Sequence, residues 1–323
     1  MKTTEYSTIT LNMLQSRKKE NRKARMKQWM PLYLMMLPGA VYLIINNYFP
    51  MFGLVIAFKQ INFSKGILAS PWVGFDNFKF LFATNDAVVI TRNTLLYNIV
   101  FILLGTVIGI LFAMFICDTV SKKLKKVYQS AILFPYLMSM VVVGYIVFAF
   151  FSMDNGILNK TILPMFGVDT ISWYNSPKYW PFILTFVHIW KGTGYSCLIY
   201  ISSINGIDPT FFEAAELDGA SKWQQIRYIT LPSLVPSIVT LTLLSIGKIF
   251  YSDFGLFYQV PRNSGLLYST TNTIDTYVYR GLMVQGNVGM ASAAGFYQSI
   301  VGFVLVLISN LIVRKLSEEN ALF

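Results

Sequence analysis

Apolar stretches long enough to cross a bilayer recur along this chain, and the polar segments between them alternate between short and long. About 20 consecutive apolar residues carry a helix across the hydrocarbon core. Six stretches reach that length: 30–58, 94–117, 127–151, 180–203, 233–254 and 291–313. They predict an all-α polytopic membrane protein with six transmembrane helices. The first stretch is longer than needed and contains Pro38, Gly39, Asn46, Asn47, Pro50 and Gly53, so a tilted or broken helix is expected there. The third holds Pro135 and Gly144. The chain then divides into a polar tail over 1–28, a membrane body over 29–318 and a short tail over 319–323.

One segment, 205–232, departs from this pattern: it is polar and strongly helical. Asp208 can cap a helix whose first residue is Pro209, a favoured pairing. Gly219 can supply the left-handed residue that stops that helix. Ser221 with Gln224 three positions on is a capping-box pattern, so a second helix should follow at once. Pro232 marks its expected end. Phe211, Phe212, Ala215, Trp223 and Ile226 give this helical hairpin an apolar side, which suits docking into a groove on another protein.

Charge sets the orientation. Of the 323 residues, 54% are hydrophobic and only 13% charged, against roughly 25% charged in a soluble domain. A net charge of +11 could suggest nucleic acid, but the basic residues gather in loops beside apolar stretches, which is a membrane-topology pattern. No nucleic-acid partner is expected. Arg17, Lys18, Lys19, Arg22, Lys23, Arg25 and Lys27 precede the first stretch; Lys122, Lys123, Lys125 and Lys126 lie between the second and third; Lys222 and Arg227 lie in the hairpin; Arg314 and Lys315 follow the last. These segments outweigh 59–93, 152–179 and 255–290 in basic residues, so they are assigned to the cytoplasm. Both termini and the hairpin are then inside, with the tail against lipid headgroups. The three long outer connections are expected to be functional. Their Trp72, Trp173, Tyr174, Tyr179 and Trp180 suit either an interfacial belt or stacking on sugar rings.

Several chemistries are missing. No G-x-x-x-x-G-K-[ST] occurs, so no phosphate-cradling loop is expected in this chain and it is not read as an enzyme. H-E-x-x-H and G-x-S-x-G are also absent. Cys117 and Cys197 both fall in apolar stretches and read as fillers, with no disulfide framework and no metal cluster. The ionisable residues inside the stretches stand out, because a charge in hydrocarbon is costly. His188 and Lys191 are i,i+3 neighbours on one helix face. Lys248, Tyr251 and Asp253 lie toward the outer end of the fifth stretch. These five are the candidates for lining a translocation pathway. A purely structural ion pair between Lys248 or Lys191 and Asp253 is the alternative.

Glu213-Ala214-Ala215, then Asp218-Gly219-Ala220, then Ile229-Thr230-Leu231-Pro232 resembles the EAA loop of ABC importer permeases. Tyr48-Phe49-Pro50-Met51-Phe52-Gly53 and Asp253-Phe254-Gly255-Leu256-Phe257 look like LplB-type permeases of the type I, MalF/MalG class. The resemblance implies import of oligosaccharides or complex glycan fragments across the plasma membrane. It also implies a second homologous permease, an ATPase dimer that binds ATP and magnesium on this chain's behalf, and an extracellular solute-binding protein. Glu213, Ala214, Ala215, Asp218, Gly219, Ala220, Leu231 and Pro232 would couple to the ATPase. The large outer domain and extra N-terminal spans of MalF have no counterpart here. An ion-gradient-driven secondary transporter is the rival class; it would need coupling-ion ligands at the midplane.

Overall fold

The computed structural model describes residues 28–316, so the tails expected from sequence fall outside the described residues apart from Gln28. The chain divides into two compact units, one ending at Val55 and one beginning at Ile56. Helices dominate the described residues, which hold no strand and a single isolated bridge, between Lys59 and Trp72.

Helix α1 (Gln28–Phe58) is apolar and long enough to span a bilayer. It does not break at its prolines. A π-type turn over Ile44–Tyr48 precedes Pro50, and the helix tightens over Phe52–Phe58. The wide turn shifts the hydrogen-bond register, so a residue without an N–H can enter.

The second unit contains α2 (Asp76–Ala83), α3 (Asp86–Asp118), α4 (Lys122–Leu137), α5 (Met140–Phe151) and α6 (Trp180–Asn205). These are followed by α7 (Pro209–Leu217), α8 (Lys222–Ile246), α9 (Phe254–Gln259), α10 (Ile274–Met283) and α11 (Val288–Leu316). Helices α1, α3, α8 and α11 pass as spans by length and composition, and α4 with α5 gives a fifth if the bent pair is counted as one. Helix α6 has 26 residues, about 39 Å at 1.5 Å per residue. That is long enough to cross, but Lys191, Thr193 and Ser196 lower its apolarity.

Several boundaries differ from the sequence expectation, among them the end of the fifth stretch, at Ile246 rather than 254. Helix α3 begins at Asp86 rather than Thr94, because Ala87 and Ile90 are buried in a core patch with Phe250, Ile274 and Met290. The third stretch is two helices at 98°. Pro135 sits in the last turn of α4, and Ser139 restarts the chain by accepting from the Val142 backbone N–H. Pro232, expected to end the hairpin, instead lies inside the continuous helix α8. A π-type turn over Ile226–Thr230 comes just before it, and Ser233 Oγ donates to the Ile229 carbonyl at 2.7 Å.

The core lies where α3, α5, α6 and α9 meet, around Phe101, Val147, Leu184, Leu256 and Trp180. Aromatics of the 152–179 connection serve this core. Trp173, Tyr174 and Tyr179 pack against it, and Trp180 is fully buried with its Nε1 donating to the Trp173 carbonyl. Trp72 remains exposed, with the Lys59 ammonium over its ring.

Candidate functional site

The hairpin is built by local code. Asp208 Oδ1 accepts from the Thr210 backbone N–H at 3.0 Å, and that bond holds its carboxyl below the usual range. Pro209 starts α7. At its end Gly219 takes φ +75°, the Ala220 N–H reaches the Ala215 carbonyl and the Gly219 N–H reaches that of Glu216. That pair of bonds is a Schellman stop. Ser221 and Gln224 then exchange bonds as a capping box and launch α8. Lys222 reaches back to Glu216 at 3.4 Å, an exposed pair that contributes little energy.

The hairpin seats on its own chain through buried Gln225 and Thr230. Phe211, Leu217, Trp223 and Tyr228 stay exposed. Among the described residues Glu213 forms no ion pair, while Ala214 and Asp218 are exposed along the same helix and Ala215 and Ala220 are partly covered. Leu231 and Pro232 belong to α8, directly after its π-type turn.

The second site is a cavity of about 410 Å³ between α3, α6 and α8. His188, Gly192 and Tyr195 line it from α6, Thr106 from α3, Ser245 from the end of α8 and Lys248 from just beyond that end. Of the five pathway candidates, His188 and Lys248 are brought together. His188 stacks flat on Phe101, with ring centroids 3.7 Å apart. Lys191 turns the other way: its Nζ donates to the Tyr136 carbonyl at 2.8 Å and lies over the Tyr136 ring. Tyr251 and Asp253 fall in the non-helical stretch after α8. Asp253 caps α9 by accepting from the Leu256 N–H at 3.1 Å. The alternative ion pair of Asp253 with either lysine is not formed.

Sequence reasoning missed the collar that holds this stretch. Residues 247–253 leave the helix, and side chains from three other helices take up their backbone groups. Asn98 Nδ2 on α3 donates to the carbonyls of Ile249 and Tyr251, both at 2.9 Å. Gln298 Nε2 on α11 donates to that of Phe250 at 2.9 Å. Asp275 on α10 accepts from the Ser252 N–H at 2.6 Å and from its hydroxyl at 2.7 Å. Gly247 in an apolar stretch was the only local hint.

Residues 105–318 match the family described as "Binding-protein-dependent transport system inner membrane component". The chain belongs to this family. It is a multi-pass plasma-membrane permease with the all-α fold of type I ABC permeases. It is 32% identical over 99% of both chains to the polygalacturonan/rhamnogalacturonan transport system permease protein YteP of Bacillus subtilis (strain 168). It is 32% identical over 90% of both chains to protein LplB of the same organism. A crystal structure of a bacterial ABC transporter involved in the import of the acidic polysaccharide alginate superposes with a TM-score of 0.82. That match has 32% identity and covers 90% of this chain and 98% of the other. As a permease of this family, the chain is a component of an ABC importer, as the sequence resemblance implied.

Proposed function

We propose that this chain is one of two permeases in an importer for oligosaccharides or complex glycan fragments. In this reading six spans surround the pathway and both termini are cytoplasmic. The partner ATPase dimer binds ATP and magnesium; no ATP site is assigned to this chain. The observation that carries the reading is the continuity of α8. One helix begins at the hairpin's capping box and ends beside Lys248 in the cavity. No loop intervenes to absorb a displacement between the two.

The exposed face of Phe211, Leu217 and Trp223 seats in a groove of the ATPase, with Glu213 facing that protein. When the ATPases close on ATP, the hairpin moves and α8 carries the motion to the cavity wall. The cavity then opens toward a binding protein that delivers the glycan. His188, Tyr195 and Lys248 offer a ring face and polar groups to a sugar. Hydrolysis resets the hairpin.

The test is purification of the tagged chain from its native host, followed by reconstitution into vesicles. An ATPase subunit and a second permease should co-purify, and glycan uptake should require ATP and the binding protein. Uptake that follows an imposed ion gradient with no ATPase present would favour a secondary transporter and sink this reading.

A further inference from the structure

A second polar pocket, of about 380 Å³, lies beyond the bend between α4 and α5 and is separate in its lining from the cavity above. Tyr145 faces it from α5, Tyr258 and Gln259 from α9, and Arg262 and Asn263 from the turn that follows. No carboxylate lines it. The geometry points to a subsite for a uronic-acid residue of the entering glycan, with Arg262 gripping its carboxylate and Tyr145 covering its ring. The assignment rests on the glycan-import reading and adds the charge of the sugar.

Three observations support it. First, Arg262 and Asn263 are the two non-glycine residues among those described with left-handed backbone, at φ 54° and 49°. Such a conformation costs of order 1–3 kcal/mol and persists where the surroundings enforce it, commonly at ligand clamps.

Second, the guanidinium of Arg262 rests against two rings and is uncommitted. Its Cζ sits 4.2 Å from the centre of the Phe148 ring and 5.6 Å from that of Tyr145. Among the described residues its side chain makes no ion pair, and its backbone N–H donates to the Gln259 carbonyl at 3.1 Å. A guanidinium lying on a ring keeps its N–H groups pointing outward in the plane, ready for a bidentate carboxylate.

Third, Asn263 is oriented from behind. Arg280 Nη1 donates to its Oδ1 at 2.8 Å and the Tyr268 hydroxyl bonds to the same oxygen at 3.0 Å. With the oxygen taken, the amide can offer only its N–H donors to a ligand. Arg280 itself is engaged behind the pocket: it also donates to Asn272 Oδ1 and Thr276 Oγ1 and lies on the Tyr268 ring. The pocket thus presents donors and a ring face. A neutral sugar would use the ring face, whereas an acidic one uses both.

The test uses the complete reconstituted transporter with its binding protein. An oligogalacturonate is compared with the same oligosaccharide after its carboxylates are reduced to alcohols. In Arg262→Gln, uptake of the acidic form should fall about ten- to a hundredfold, the range for losing hydrogen bonds to a charged group. Uptake of the reduced form should stay within about twofold of the unmodified transporter. Arg262→Lys keeps the charge but loses the fork, and should recover acidic uptake only in part. If the glutamine variant fails to assemble, the lysine variant makes the same comparison.

An equal fall for both sugars, or no fall, would overturn the assignment. So would weaker docking of the ligand-free binding protein to Arg262→Gln, since the arginine would then serve a protein carboxylate. Wild-type uptake of the reduced form alone would remove the uronate subsite and leave glycan import standing. Uptake of neither form would remove both.

Discussion

His188 and Phe101 lie ring on ring, 3.7 Å apart and within 6° of parallel, joining α6 to α3 at the wall of the cavity. Aromatic pairs of this kind contribute roughly 0.5–1.5 kcal/mol beyond area burial. The imidazole therefore has two roles, packing and a polar edge, and substitutions separate them. His188→Phe should leave thermal stability in detergent within a degree or two (of order 0.5 kcal/mol) and lower glycan uptake several-fold. His188→Ala should lower both. If His188→Phe transports normally, the polar edge has no part in the pathway.

Lys248 and Lys191 should part company in the same assay. Lys248 faces the cavity, whereas Lys191 is tied to the Tyr136 carbonyl. Lys248→Met should permit assembly with the ATPase yet cut uptake about tenfold or more, as expected for a lost charged contact. Lys191→Met should act mainly on stability, by about 1–3 kcal/mol for a hydrogen bond from a charged donor. Thermal unfolding and uptake of the two variants, measured side by side, decide it. Normal uptake and assembly in Lys248→Met would withdraw its assignment.

Gly219 offers a test of the hairpin that is free of steric confusion. A Cβ built there meets nothing within 4 Å, so any penalty comes from φ +75° alone. That backbone costs an L-residue roughly 1–2 kcal/mol, least for asparagine and most for a β-branched side chain. Gly219→Asn should keep coupled transport. Gly219→Val should preserve membrane insertion while ATP hydrolysis loses its link to uptake. The ratio of ATP consumed to glycan moved is the readout, and equal ratios in both variants would exclude a rigid turn as the coupling element.

Asp208 makes the start of α7 sensitive to acid. Its carboxyl is held below its ordinary value in the folded chain by the Thr210 N–H. A depressed folded pKa means the capping stabilisation is present above the unfolded value and is lost as pH falls through the folded one. Amide exchange of Thr210, corrected for its intrinsic rate, should therefore accelerate below about pH 4. In Asp208→Asn, which caps without a charge, that protection should hardly vary with pH.

What could be read from the sequence was mostly what acts over a few residues. Asp208 with Pro209, Gly219, and Ser221 with Gln224 each complete their bonds within five positions, so local code sufficed. Pro232 misled because its ordinary role is to end a helix. Here the π-type turn just before it changes which carbonyls need donors, and that adjustment carries no composition of its own. The bend between α4 and α5 falls three residues after Pro135, where Met138 and Ser139 gave no warning. Asn98, Asp275 and Gln298 reach the stretch after α8 from positions far away in the chain. Such contacts become visible only when the helices are assembled.

Lys248 sits where a stiff rod gives way to a tethered ribbon. Up to Ile246 a push can travel only along the axis of α8, whereas from Gly247 onward the chain is lashed sideways to α3, α10 and α11. A stroke arriving at that junction must emerge as a sideways swing of the lysine and the walls beside it. Cutting the Asn98 lashing should therefore dull the response of the cavity while leaving the stroke itself intact. Asn98→Leu should hydrolyse ATP at a near-normal rate and import less glycan for each ATP spent.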